Sequence, residues 1–164
     1  MGRASTKENK SIYQTTREEL KLTREKASDM IGFMSAERIE KIENAKVNVQ
    51  PEDVMALAQC YKAPKLCNYY CSNECPIGRK YVPEVQAKDL AQIAIETLNS
   101  LNKINREKDR LLEIIEDGQV SDDELSDFVS IKKTLDKISL SVDTLQLWVD
   151  QAIADGNLDM SAFD

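Results

Sequence analysis

The chain has 164 residues, a net charge of −7, 31% charged residues and only 5% aromatic ones. That composition excludes a large aromatic core and fits one small domain with an extension, built from thinly packed helices. With no histidine, no glycine-rich phosphate loop and no acidic pair gathered in an evident cleft, an enzyme is not expected.

No apolar run approaches the roughly 20 residues needed to cross a membrane. The first residues lack the apolar centre of a signal peptide, so a soluble cytoplasmic protein without a membrane partner is expected. Met1-Gly2-Arg3-Ala4-Ser5-Thr6 fits the myristoylation pattern, which is short enough to arise by chance. The plainer reading of residues 1–10 is a disordered polar tail.

Five helices are predicted over residues 11–75. The first runs roughly from Ser11 to Leu20, with Ile12, Tyr13, Thr16 and Leu20 on one side. Thr23 is an N-cap candidate for the second, although Lys26 stands where a capping-box glutamate would. Ala27, Met30 and Ile31 point inward, and Gly32 marks a turn. Ser35 caps a third helix that turns Ile39 and Ile42 to the core and ends near Asn44. Pro51 opens the fourth, whose apolar face is Val54, Leu57, Ala58 and Tyr61. Pro64 opens a short fifth helix and Pro76 ends it. Residues 76–83 hold two prolines and a glycine and read as a linker without helix.

Two long helices follow in residues 84–155, before a tail at 156–164. In the first, Ala87, Leu90, Ala94, Leu101, Ile104, Leu111 and Ile115 recur at three- and four-residue steps, and Asp117-Gly118 stops it. Ser121-Asp122-Asp123-Glu124 reads as a full capping box for the second. There Leu125, Phe128, Leu135, Ile138, Val142, Leu145 and Val149 keep the coiled-coil rhythm, and Asp155-Gly156 ends it. Each helix spans about 30 residues, or about 45 Å. The short polar turn between them predicts an antiparallel hairpin. Ile131, Leu140, Leu147 and Trp148 fall off the main stripe and are the candidates for self-association.

Charge divides the chain. Residues 1–62 carry 11 basic and 10 acidic side chains, whereas residues 84–164 carry 8 and 18. The acidic rear half does not suit a phosphate backbone and is the part expected to meet a protein partner. All four cysteines, Cys60, Cys67, Cys71 and Cys75, lie within 16 residues. A disulfide framework is not expected in a cytosolic chain. Four thiolates would suit a zinc ion, and Lys65, Arg79 and Lys80 would favour the thiolate form. The spacing matches no standard zinc signature, however, and plain packing or a redox pair remain open beside the metal. The four thiolates are chemically compatible with an iron–sulfur cluster as well, and no other cofactor is expected. The carboxylates from Asp117 to Asp127 lack the alternating order of a calcium loop.

Three stretches resemble the Cro and phage-repressor (XRE) helix-turn-helix family. Leu22-Thr23-Arg24-Glu25-Lys26-Ala27-Ser28 is similar to the start of its second helix. Arg38-Ile39-Glu40-Lys41-Ile42-Glu43-Asn44-Ala45-Lys46 is similar to its I-x-x-I-E-N-G-K run. Pro51 to Ala58 is similar to its P-x-x-x-x-x-L-A helix. From Cys67 onward, through Cys-Pro-Ile-Gly, the chain resembles the C-terminal extension of some small repressor-like proteins from Firmicutes. The resemblance implies an all-α fold: a five-helix repressor-like domain, here followed by the helical hairpin. It implies double-stranded DNA as partner, a homodimer on a pseudo-palindromic site, and the third helix in the major groove. Ser35, Ala36, Glu37, Arg38 and Lys41 would face the groove, with Arg38 suited to guanine O6 and N7. Arg24 and Lys46 would sit near phosphates, and Glu43 would cap or salt-bridge within the domain. The sequence departs from the family in three places. The turn before the third helix is one residue longer, Ala45 replaces a glycine, and Glu37 and Glu40 put two negative charges on the reading helix. These departures favour a rival reading: a protein-interaction adaptor whose helix-turn-helix no longer binds DNA.

Overall fold

The computed structural model describes residues 10–159 and 161 and contains helices but no strand among them. The expected N-terminal tail, with its myristoylation pattern, and most of the last five residues lie outside that range. Four short helices come first: α1 (Ile12–Glu19), α2 (Arg24–Ile31), α3 (Ala36–Glu43) and α4 (Pro51–Cys60). Hydroxyls start the first three. Ser11, Thr23 and Ser35 accept from the backbone N–H of Gln14, Lys26 and Arg38 at 3.2–3.3 Å, a cap worth about 1 kcal/mol each.

Three helices end in the same way. The residue after the cap turns left-handed at Lys21, Ala45 and Lys62, with φ of +50 to +56°. At α3, Ala45 N–H reaches the Ile42 carbonyl and Lys46 N–H reaches Lys41, the paired bonds that satisfy a helix's last carbonyls. Glycine is the usual residue there, and this chain uses lysine and alanine instead.

The core of this part gathers Tyr13, Ala27, Met34, Ile39, Ile42, Val54, Leu57, Tyr61 and Leu66. The predicted apolar faces of α3 and α4 are buried as expected. Leu20 and Met30 are corrections, exposed rather than inward. Leu20 has already left α1 as its cap residue. Met30 lies about 100° round α2 from the inward Ile31, outside so narrow a stripe.

Between α2 and α3 the extra residue is absorbed locally. Gly32 takes φ +84° and Phe33 loops into solvent, 73% exposed. Met34 thus still reaches the core, and Ser35 still caps α3.

Helix α5 (Lys65–Tyr69) runs on into a wider π turn, Tyr70–Glu74. The expected linker holds a turn of helix, α6 (Gly78–Tyr81). Gly78 makes this turn possible. A Cβ there would stand 2.0 Å from the Cys71 carbonyl oxygen, so only glycine allows the two backbones to touch.

The two long helices are α7 (Leu90–Ile114) and α8 (Leu125–Ala154). Helix α7 starts seven residues after Pro83, not directly behind it, because Asp89 caps it by accepting from Gln92 N–H at 2.9 Å. Ala87 therefore lies outside the helix. The Ser121 box is half-formed: the Glu124 carboxylate takes the Ser121 N–H and hydroxyl, and α8 begins just behind it.

Two compact units result. One runs through Glu84 and includes the chain from Asp150 onward; the other is Val85–Val149. The last turn of α8 thus groups with the first unit, where Gln151 Nε2 donates to the Lys62 carbonyl at 3.1 Å. Within the second unit α7 and α8 form the expected antiparallel hairpin. Glu107 accepts from Ser130 and Thr134, and Arg110 pairs with Asp127 at 2.8 Å.

The hairpin seam is not the one its leucines suggest. On α7 the more buried positions are Ile93, Thr97, Ser100, Ile104, Glu107, Leu111 and Ile114. On α8, Ile131, Thr134, Ser141 and Thr144 are buried. Ile131, expected to be free for a partner, is only 2% exposed. Small hydroxyl residues fit the seam because each bonds a carbonyl of its own helix. Thr97 donates to Ile93, Thr134 to Ser130, Ser141 to Lys137 and Thr144 to Leu140, at 2.6–3.1 Å. Leu101 of α7, Ile115 at its C-cap, and Leu135, Val142 and Leu145 of α8 remain 41–57% exposed.

Candidate nucleic-acid interface

Helix α3 has two sides of different character. Ile39 and Ile42 anchor the inner side. One side further round, Glu43 is fully buried and ion-paired. Its carboxylate takes Arg17 at 2.6 and 3.0 Å and Arg24 at 2.8 Å. Arg17 also donates to the Leu22 carbonyl. Burial opposes the charge on Arg17, but the hydrogen bond and charge of Glu43 raise its pKa above the ordinary value. This network ties α1, α2 and α3 together. The intradomain bridge expected of Glu43 is present, but the sequence reading missed Arg17. The signal was one helix turn away: Arg17 stands four residues after the core residue Tyr13, on the inward side of α1.

The outer side of α3 carries Ser35, Ala36, Glu37, Glu40 and Lys41, at least partly exposed. These expected groove residues therefore share one surface. Arg38 does not join them. Its Nε and Nη2 grip both oxygens of Asp53 on α4. Burial pushes the Asp53 carboxyl up. The Arg38 guanidinium and the Gln50 N–H outweigh it and hold the group below the ordinary carboxylate range. The fork expected on a guanine is thus turned onto a protein carboxylate.

The other cations on this surface have partners too. Lys41 pairs with Glu37 at 2.7 Å and Lys46 with Glu40 at 3.5 Å, and Lys41 holds the exposed Glu37 carboxyl below its ordinary value. Arg24, expected near a phosphate, lies on Glu43. On the outer side Lys41 and Lys46 face Glu37 and Glu40, so that surface is close to neutral, while Arg24 shares the buried Glu43 with Arg17. The two acids flagged as departures, Glu37 and Glu40, are the ones that neutralise the exposed lysines.

The cysteines are brought together only in part: Cys67 and Cys71 stand near enough to interact. Among the described residues no three cysteine or carboxylate side chains stand close enough to share a metal ion. Cys60 Sγ lies 4.0 Å from the Ala27 carbonyl, and Cys75 accepts from the Gly78 N–H at 3.4 Å. Burial raises the pKa of Cys60 and Cys67, the opposite of the thiolate form expected from nearby Lys65, Arg79 and Lys80. Behind the interface, Tyr13 donates to Glu74 at 3.1 Å and stacks edge-on against Tyr69. The sequence reading missed that contact, which joins residues 61 positions apart.

No described helix is long and apolar enough to cross a membrane. No curated protein and no solved structure matches the chain. Residues 14–64 match the model of the helix-turn-helix family, a family of DNA-binding regulatory domains. That segment runs from within α1 to just behind α4 and includes the turn between α2 and α3. Residues 14–64 are thus a helix-turn-helix domain of the Cro and phage-repressor kind, and to that family this part of the chain belongs.

Proposed function

We propose that the protein is a sequence-specific DNA-binding transcriptional regulator, acting as a dimer with one α3 in the major groove of each half-site. The supporting observation is the division of α3. Its inner side is locked by Ile39, Ile42 and the Glu43 network, while Ser35, Ala36, Glu37 and Lys41 face outward together. Those residues have the chemistry to read base edges. Lysine donates to guanine O6 and N7, glutamate accepts from cytosine N4, and alanine packs on the thymine methyl. Arg38 then acts as a positioning residue that fastens α3 to α4 through Asp53. Lys46 and Arg24 supply phosphate contacts.

Selection of the full-length protein against random duplexes, followed by anisotropy at two salt concentrations, tests this. An enriched motif with preference over scrambled duplex is expected. Absence of any motif, with low-salt affinity no better than that of an acidic control protein, overturns the proposal. The neutral surface favours a second reading, an adaptor in which Glu37 and Glu40 contact a protein. In that case Glu37→Gln and Glu40→Gln weaken a protein complex and reveal no DNA affinity.

A further inference from the structure

The exposed leucines of the hairpin form a pattern. Along α7 and its C-cap residue Ile115, four of the six outward apolar residues follow a seam residue by one position: Leu98 after Thr97, Leu101 after Ser100, Leu112 after Leu111, Ile115 after Ile114; Leu90 and Ile95, near the start of the helix, do not. On α8 the same holds for Leu135 after Thr134, Val142 after Ser141 and Leu145 after Thr144. One residue is about 100° round a helix. Each stripe is therefore rotated from the seam by the same angle in the same sense. Because the helices run antiparallel, both stripes come to the same face of the hairpin. Two helices about 9 Å apart, the shorter about 37 Å long, give a face on the order of 700 Å². That is close to the roughly 800 Å² each partner contributes to a standard interface.

The α7 stripe is also a palindrome. Leu98, Leu101, Asn105, Lys108, Leu112 and Ile115 are spaced by three, four, three, four and three. Reversed, the stripe meets itself apolar against apolar at both ends, with Asn105 opposite Lys108 at the centre. A two-fold axis makes that demand of a surface, since each residue must suit its mate in the other copy.

We propose that this face is covered by a second copy of the chain, with the two α7 helices antiparallel across a two-fold axis and the hairpins together forming a four-helix bundle. Leu98 packs on Ile115 of the other copy, Leu101 on Leu112, and Asn105 on Lys108. This deepens the dimeric part of the function proposed above and does not depend on DNA binding. The interface differs from the one the sequence suggested: Ile131 is within the seam, and Leu140 precedes Ser141 and so lies on the opposite face.

The test is sedimentation of the full chain without DNA, with circular dichroism as the control for folding. Wild type is expected to be a dimer. Leu101→Lys and Leu112→Lys are expected to weaken it roughly tenfold or more at unchanged helicity, while Leu140→Lys leaves it intact. Asn105→Asp places two carboxylates opposite the two Lys108 side chains and is expected to tighten the dimer, the gain fading as salt rises. This variant carries the test even if the leucine variants fail to fold. A wild-type monomer at high micromolar concentration overturns the proposal. So does dissociation by Leu140→Lys with the stripe variants inert, or an Asn105→Asp variant no tighter than wild type. A dimer that lacks DNA affinity overturns the DNA-binding reading and leaves this one standing.

Discussion

Ala45 holds the left-handed position behind α3 at φ +52°, where a side chain crowds the backbone at a cost of about 1–2 kcal/mol. Glycine removes that cost but gives part of it back through its freedom in the unfolded chain. Ala45→Gly is therefore expected to stabilise the protein by about 0.5–1 kcal/mol, read from the urea midpoint at unchanged slope. Glu74 offers a second test. Burial raises its carboxyl pKa, only partly offset by the hydrogen bond from Tyr13. The folded state therefore holds this proton more tightly than the unfolded chain does. Stability falls as pH rises from the ordinary carboxylate value through the raised one. Glu74→Gln keeps an acceptor for the Tyr13 hydroxyl without the charge. It is expected to be slightly more stable than wild type at neutral pH, and the difference should vanish in acid below the ordinary carboxylate range. Urea melts of both proteins from neutral pH down to below the ordinary carboxylate range would show this. A constant difference at every pH would mean that packing, not charge, separates them.

Helix α3 shows which features a sequence makes legible and which it does not. Its cap, its buried isoleucines and its end were readable, because each depends on residues a few positions apart. The role of Arg38 was not, because it depends on Asp53, fifteen residues away on another helix. The same limit applies in the hairpin. Three- and four-residue steps locate apolar stripes, but the seam was chosen by threonines and serines whose hydroxyls bond their own helix, and no hydropathy count favours those. The linker hid α6 because the contact between Gly78 and Cys71 is a matter of backbone approach. The pairing on α3 leads to a direct expectation. Glu37→Gln frees Lys41, and Glu40→Gln frees Lys46, so each variant should bind duplex DNA more tightly with a steeper salt dependence, by roughly one counterion per freed lysine. Arg38→Ala should behave differently. Losing the tie to α4, it should lower thermal stability and weaken all sequences alike, without relaxing the preference at one base pair. A preference relaxed at a single position, with stability unchanged, would restore Arg38 to the groove.

At the scale of the whole molecule the charge is segregated. Residues 84–164, with 8 basic and 18 acidic side chains, repel a phosphate backbone, while the first 62 residues are nearly neutral. One reading helix with its lysines paired therefore starts with little electrostatic affinity. Most non-specific binding comes from neutralised phosphates, so a single copy should hold DNA weakly. Joining two copies changes the arithmetic, because the second half-site is then bound at the effective concentration set by the first. Linked modules can gain roughly 10²–10⁴ in this way without a new contact, provided both engage at once. Wild type is accordingly expected to bind a full pseudo-palindromic site far more tightly than a half-site. Leu101→Lys, which opens the proposed hairpin interface far from α3 in sequence, should reduce the full-site affinity towards the half-site value and leave the half-site affinity unchanged. Anisotropy titrations of both proteins on full- and half-site duplexes at one stated salt concentration supply the comparison. Equal affinities of wild type for the two duplexes would mean that the copies do not read DNA together. A Leu101→Lys variant with undiminished full-site affinity would mean that DNA-bound copies meet through some other surface.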